Sequence, residues 1–459
     1  MGLLNSLSVG GRGLGAASAA IDVTSQNVSN VNTPGYARRS VHQTTMDPIA
    51  RGGLFIGQGV SVDTIHRASD RLLGARYVQA TGDNAYASSL ESSLRVTEGY
   101  FDEANSTGLV EAYDAYYDAL GSAASDPGSA SLRQGAVAAG SLLASVVSRT
   151  ANGLQTTLDG VAGQLDDGLV TLNDSLQRIA DFNMKIREGG GNVADLEDQR
   201  DQLVVEVAEQ TGATAEFRAD GTANLYLGGH AIVSDGAARS LSMQTDSSGA
   251  PQLYVSADSG KLRVTDKVGG TIGGALSGWQ KTKGYLDDLD EFAYSFVTAT
   301  NAQHAAGYDR SGAAGGDLFT ASAAVSGSAL GMSIDPTVLA DSSKLALASD
   351  PSAPAGDGGN LDALRATETD TAIFGGQTGH DKLSALVVTV GHDITSAESE
   401  NDSTTATLED IKSIHDAISQ VDTDEEAMNL LQYQTAYRAS AKVISTVNGL
   451  LEDLIRLGD

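Results

Sequence analysis

Both ends of this chain are written in sevens. Leu7, Leu14, Ile21 and Val28 recur at heptad spacing, and Leu3, Gly10, Ala17, Thr24 and Val31 fill the companion positions. At the other end Leu430, Tyr437, Ile444 and Leu451 repeat in the same way, followed three residues later by Tyr433, Ser440, Val447 and Leu454, with Ala436, Val443, Leu450 and Leu457 widening the stripe. Such spacing predicts helices that pair along a narrow apolar seam. Between Met1 and Ala37 only Arg12 and Asp22 are charged. Gly10, Gly11, Gly13 and Gly15 each cost a helix about 1 kcal/mol relative to Ala, so the first helix is expected to need cover. The C-terminal stripe is broader than one partner helix requires, which implies burial against at least two surfaces. The expected contacts, within the chain or between copies, are Leu7, Leu14, Ile21 and Val28 with Leu430, Tyr433, Tyr437, Ile444, Val447, Leu451 and Leu454. Thr423 and Glu426 have capping-box spacing, with Asp424 and Glu425 in the first turn.

The interior reads differently. Residues 129 to 188 predict one long helix, with a break near Gly153 and a stop at the run Gly189–Gly191; Leu158, Leu165, Leu172, Ile179 and Ile186 recur by seven. Shorter helices are expected over about 193–210, 281–304 and 382–420. Residues 213–272 alternate turn signals (Ala-Asp-Gly at 219–221, Leu-Gly-Gly at 227–229, Ser-Asp-Gly at 234–236, Ser-Ser-Gly at 247–249) with the short runs Thr222–Leu227, Ala231–Val233 and Gln252–Val255, the grammar of strands. Residues 305–380, rich in Gly, Ala, Ser and Asp, suggest loops, short strands and an exposed extension. The fold class is mainly α with inserted β, an elongated and nested α+β multidomain chain. Terminal helices form a coiled coil (1–36 and 421–459), a helical-bundle core lies within (37–212 and 273–420), and a small β domain (213–272) is inserted in that.

Several functions are excluded or disfavoured. A net charge of −30 argues against nucleic acid, whose phosphates need a basic surface, and against docking on anionic lipid. There is no cysteine, hence no disulfide, thiolate metal site or cysteine nucleophile. The seven histidines show neither HxH nor HExxH spacing, so no zinc site is expected. Gly11-Arg12-Gly13-Leu14-Gly15-Ala16 echoes a dinucleotide loop, but no strand precedes it and the heptad runs through it. Gly2 fits a myristoylation pattern that the heptad explains better. No apolar run approaches the roughly 18 residues that a bilayer requires, and no signal-peptide pattern opens the chain. No cofactor, metal or catalytic residue is expected.

Asn27-Val-Ser-Asn30-Val-Asn32-Thr33-Pro34-Gly35-Tyr36 is physically a helix exit: Asn favours turns, Thr-Pro forces extended backbone, and Pro-Gly turns the chain. This string, with Ala20–Gln26 before it and Ala37-Arg38-Arg39 after it, resembles the motif of flagellar axial proteins, and in particular of the hook-associated FlgK family. Rod and hook proteins typically carry Gly-Phe where this chain has Gly35-Tyr36. Three further segments resemble the same family: Gly191-Asn192 with Asp195–Leu203; Asn301 with Gly307-Tyr308-Asp309, Gly312 and Gly316–Phe319; and Asn429–Val447. Together they cover about half of the chain, which is short for the family, as though an outer domain were reduced or missing. The resemblance implies a structural subunit that forms the junction ring between hook and filament. It further implies export by the flagellar type III system, terminal helices packed around a central channel, and a location outside the cell. The implied partners are copies of the same chain, the hook protein, the second junction protein and an export chaperone on the C-terminal helix. Two alternatives stay open: another axial subunit, or an unrelated secreted adhesin or hydrolase with an axial-like end.

Overall fold

The computed structural model describes residues 2–51, 54–101, 108–189, 193–258, 260–352 and 356–457. The low-charge N-terminal heptad forms a single helix, α1 (Gly2–Ser29). Its buried positions are the small companions of the heptad, Gly10, Ala17 and Thr24, together with Ala16, Ala20, Val23 and Asn27.

The chain then does something its periodicity does not announce. Residues 39–67, expected within the helical core, form β1 (Arg39–Thr45), β2 (Ile49–Arg51), β3 (Leu54–Ile56) and β4 (Val60–Arg67). β1 pairs antiparallel with β4 and β2 with β3, with an irregularity between His42 and Gln43. The hairpin lies along α1: Arg12 Nη1 donates to the Gln58 carbonyl at 2.7 Å and Gln58 Nε2 to Asn5 Oδ1 at 3.0 Å. Its tip is apolar and open, with Leu54 71% and Phe55 77% exposed.

Two helices without an evident heptad follow, α2 (Arg71–Glu98), capped by Asp70, and α3 (Leu109–Ser125). Next comes α4 (Ala130–Glu188), 59 residues and about 90 Å long at 1.5 Å per residue. α4 is continuous through Gly153, correcting the expected break. A Cβ there would lie 2.4 Å from the ring of Tyr100, so Gly153 admits an aromatic ring against an unbroken helix. Part of the expected stop, Gly190–Gly191, lies outside the described residues, as does Asn192 of the family segment; the C-cap is Gly189. α5 (Ala194–Thr211) ends on Gly212 in the left-handed conformation, φ +66°.

The turn signals of 213–272 produce seven strands: β5 (Thr214–Phe217), β6 (Ala223–Leu227), β7 (His230–Ser234), β8 (Ala237–Ala238), β9 (Leu241–Thr245), β10 (Pro251–Ala257) and β11 (Gly260–Arg263). They make a four-stranded antiparallel sheet in the order β5-β6-β7-β8 and a three-stranded one in the order β11-β10-β9. Gly221, Gly228, Gly229, Gly236 and Gly249 take the positive φ their turns demand. α6 (Gly270–Ala305), α7 (Pro336–Ala340), α8 (Gly359–Ala366), α9 (Gly379–Ser419) and α10 (Thr423–Arg456) complete the chain.

Two cores share α4 as a spine. Its first half packs on α3 and α6, against which α8 and α9 rest in turn, around Tyr113, Tyr116, Phe292, Phe296 and Phe319. Its second half, Leu165 to Ala180, meets α5 and the strands around Val204, Leu225, Ile232 and Leu253. The β segment thus shares its core with helices. The segment 305–380 is not an exposed extension: Leu318, Phe319, Ile334, Leu345, Leu347 and Leu361 are all buried in the first core. Irregular backbone there supplies side chains to the interior without any periodicity that would betray it. α4 contains an apolar window long enough to cross a membrane by composition, which the reading of apolar runs did not register. That helix is the spine of both cores.

Candidate functional site

The two chain ends pair with each other. Gly10 faces Ile444 and Val443 while Gly13 faces Ser440, so α1 and α10 run antiparallel within one chain. A Cβ on Gly10 would come 3.0 Å from Ile444 Cγ1, and one on Gly13 2.9 Å from Ser440 Oγ. The α1 glycines that weaken the helix therefore include two that bring α10 close. The large heptad residues flank this seam. Leu7, Leu14 and Ile21 are half-buried and Val28 is 42% exposed. On α10, Leu430, Tyr433, Ile444 and Leu451 are half-buried, Val447 is buried at 6%, and Tyr437 and Leu454 are 40% and 61% exposed. Val447 and Glu426 are the two buried residues of the helix.

α10 starts one residue before the expected capping box. Asp422 is its N-cap, accepting from the amides of Asp424 and Glu425. Glu426 turns instead to Arg38: Arg38 Nε donates to Glu426 at 2.7 Å and Arg38 Nη2 to Glu425 at 2.7 Å.

The motif at 27–36 makes a turn and a clamp. Thr33 N–H donates to the Asn30 carbonyl, Thr33 Oγ1 to Asn30 Oδ1, and Tyr36 N–H to the Thr33 carbonyl. Gly35 has φ +74°, which favours glycine, and a Cβ there would lie 3.5 Å from Gln202 Cβ of α5. Asn32, Thr33, Pro34 and Gly35 are exposed, Asn30 and Tyr36 half-buried. Asn27, fully buried, accepts from the Arg39 N–H at 3.0 Å and donates to the Arg39 carbonyl at 2.8 Å, while Tyr36 Oη donates to Asn27 Oδ1 at 2.9 Å. The Arg39 guanidinium lies 4.7 Å from the Tyr36 ring centroid.

From this clamp a chain of ion pairs crosses to α5. Arg39 Nη2 meets Asp198 Oδ2 at 2.8 Å and Asp195 Oδ1 at 2.5 Å. Arg67, at the end of β4, gives Nε to Asp198 Oδ1 and Nη1 to Asp201, each at 2.6 Å. Arg200 Nε pairs with Asp201 at 2.7 Å, and its Nη1 donates to the Gly221 carbonyl at the same distance. Arg39, Asp198 and Arg200 are 3%, 8% and 2% exposed. Burial pushes the neighbouring Glu197 carboxyl up, against the pull of Arg67 and Arg200. Two stretches that resembled one family separately, 27–39 and 195–203, thus meet at one joint, and Arg38 ties it to the first turn of the last helix. The single sequence carried no signal for this meeting, because its partners are distant along the chain and ordinary in type.

The segment around Asn301 forms a second, purely internal constellation. Asn301 Oδ1 accepts from the amides of Leu318 and Phe319, and its Nδ2 donates to the Phe319 carbonyl. His304 is fully buried; its Nε2 accepts from the Ala346 amide at 2.8 Å, so Nδ1 carries the proton given to the Gly316 carbonyl at 2.7 Å. Among the described residues no group of three or more His, Asp or Glu could hold a metal ion.

Known families match three stretches of the chain. The family described as the helical domain of flagellar hook-associated protein FlgK matches residues 94–319. Two shorter families match the ends: the flagella basal body rod protein at 7–36, and the C-terminal region of the flagellar basal body rod FlgEFG proteins at 416–457. "Flagellar hook-associated protein 1" of Salmonella typhimurium (strain LT2) is 24% identical, over 97% of this chain and 98% of its own. That of Bacillus subtilis (strain 168) is also 24% identical, over 97% and 96%. The Salmonella alignment runs over 549 positions, so at least 90 of them have no counterpart in these 459 residues. The solved structure of the flagellar hook junction protein FlgK from Burkholderia pseudomallei shares the fold, with a TM-score of 0.65 at 15% identity, covering 75% of this chain and all of that one. The matched helical domain, the rod-type ends and the full-length relatives place this chain in the flagellar hook-associated FlgK family, whose members are structural proteins of the bacterial flagellum and not enzymes.

Proposed function

We propose that this chain is a subunit of the ring that joins hook to filament, exported through the flagellar type III apparatus and assembled outside the cell through its terminal helices. One observation carries the reading. The α1–α10 pair buries a seam of small residues and leaves a row of large apolar side chains on α10 in water, among them Leu431 at 65%, Val443 at 45%, Leu450 at 48% and Leu454 at 61% exposure. A lone helical pair has no reason to present that face, and neighbouring copies would cover it. The exposed tip of the β2–β3 hairpin adds further apolar surface. Leu7, Leu14, Ile21, Val28, Leu430, Tyr433, Tyr437, Ile444, Val447, Leu451 and Leu454 serve both the internal seam and these contacts. Copies of the chain close the ring, the hook protein lies on one side and the second junction protein on the other, and a chaperone shields α10 before export. The names of the relatives, which speak of the hook and of the hook junction, support this placement.

The test is a pull-down of purified protein on isolated hook–basal bodies. The reading predicts decoration of the hook tip and none of bare rods. Binding along rods, or none at either place, would contradict it.

A further inference from the structure

The terminal unit, comprising α1, α10 and the β1–β4 hairpin, has extended packing only within itself: α10 lies along α1, and α1 along α10 and the hairpin. Among the described residues its ties to the core, apart from the chain crossings near residues 37–38, 68–70 and 419–422, are the ion-pair joint on α5 and the approach of Gly35 to Gln202 on the same helix. We propose that Asp198, with Arg39 and Arg67, acts as a positioning joint that sets the angle at which the terminal helix pair leaves the core.

Three features point to orientation more than to stability. First, the joint is made of charges taken out of water. Buried ion pairs recover little net stability, and apolar replacements often do as well or better, whereas their directional hydrogen bonds enforce one arrangement. Arg39 Nε, buried without a hydrogen-bond partner, makes the joint poorer still as a source of stability. Second, the bonds come from different directions. The two oxygens of Asp198 take arginines from the two paired strands of the hairpin, Arg39 opening β1 and Arg67 closing β4, which are register partners. A single carboxylate gripped from two strands fixes rotation as well as distance, and Arg67 adds a third bond to Asp201. Third, the grip reaches both ends of the chain. Asn27 locks the Arg39 backbone to α1, while the adjoining Arg38 holds the first turn of α10 and donates its N–H to the Ser419 carbonyl at the end of α9. The angle of α1 and that of α10 are therefore set together. A ring of identical subunits requires each copy to present its helix pair at a controlled angle, and that consequence rests on the assembly reading; the joint itself does not.

The absence of cysteine makes a clean measurement possible, since introduced thiols are the only ones present. Cysteines at the exposed positions Asp166 on α4 and Ala439 on α10, spin-labelled in the full chain, report the separation of terminal pair and core by double electron–electron resonance. The parent protein is expected to give one narrow distance distribution. Asp198→Asn, and separately the apolar triple Arg39→Met/Arg67→Met/Asp198→Leu, should broaden it about twofold. The triple should also melt within about 5 °C of the parent, because the three most enclosed charges leave together, Asp201 keeps Arg200, and Asp195 is open to water. A distribution as narrow as the parent's in either folded variant would overturn the proposal. So would loss of the folded core in both variants by circular dichroism, since the joint would then be a source of stability. The measurement uses monomer alone, so its failure would leave the junction reading intact; failure to bind hook tips would leave the joint standing.

Discussion

Asn27 holds Arg39 by its backbone, accepting from its N–H at 3.0 Å and donating to its carbonyl at 2.8 Å, so that a side chain on a helix does what a neighbouring strand would do. Both atoms of the amide are used, and the residue is wholly buried. Replacing Asn27 by Ala orphans two buried backbone groups and frees Tyr36 Oη. The expected cost is about 2–6 kcal/mol, counted as two unsatisfied groups. Urea unfolding, with exchange protection read at the Arg39 amide, checks it; unchanged protection would mean that the clamp does not act.

Ile444 packs its Cγ1 against Gly10, where no side chain intervenes. Asp at 444 puts a carboxylate into the α1–α10 seam, and Asp at Ile21 does the same from the other helix. Both variants should fail to assemble on hook tips while the two cores, which involve neither residue, stay folded. Assembly at the parent level would defeat the coiled-coil account.

Two buried groups give the core a pH dependence of fixed sign. Burial pushes the His304 imidazole below its ordinary 6.5, against a weaker pull from the Gly316 carbonyl, and Nε2 must stay unprotonated to accept from Ala346. A depressed histidine is protonated first in the unfolded chain, so its contribution is complete above about 6.5 and declines as pH falls below that value. For Asp309, burial pushes upward, but hydrogen bonds from Ser311, Lys344 and Ala313 outweigh it and bring the carboxyl to about 2. Its contribution is complete above the ordinary carboxylate value and is lost as pH falls toward 2. Stability should therefore fall as pH drops below about 6.5 and again below about 4, and His304→Gln should flatten the first drop. Denaturant midpoints across pH read both; a first drop that survives in the glutamine variant would contradict the assignment.

Two glycines of α6 should respond in opposite directions to alanine. At Gly274 a Cβ would sit 2.3 Å from the Tyr86 carbonyl oxygen and 2.9 Å from the Leu90 nitrogen, so α2 must move away, at a cost of about 1–3 kcal/mol. At Gly284 there is nothing within 4 Å, and Ala should stabilise the helix by about 0.5–1 kcal/mol. Thermal melts of the two variants should shift in opposite senses; equal shifts would mean that the close α2–α6 approach is not maintained in solution.

What was legible in the sequence follows the physics of each element. α4, α5 and α9 begin and end within three residues of their expected bounds, because apolar recurrence over many turns averages out local accident. α6 begins at Gly270, well before its expected start, since Gly273, Gly274 and Gly278 argue against helix locally, the last two being required by the approach of α2 and Gly273 by the Val268 carbonyl. Three of the inserted strands, β6, β7 and β10, were visible through the glycines of their turns, whereas β5, β8, β9 and β11 were not singled out. The hairpin at 39–67 was not: most of its residues are exposed or half-buried on both faces, so no alternation of apolar and polar marks it. Of the joint, the turn from Asn30 to Tyr36 was readable as a helix exit. The pairing of Arg39 with Asp198, 159 residues away, was not, because a single chain records the residues and not their meeting.

The most direct test of the whole account is to delete the chain from its bacterium and examine the flagella by electron microscopy. The account predicts hooks that end bare, with filament protein released into the medium, and recovery of filaments when the intact chain is restored. Full-length filaments on the hooks of the deletion strain would contradict it.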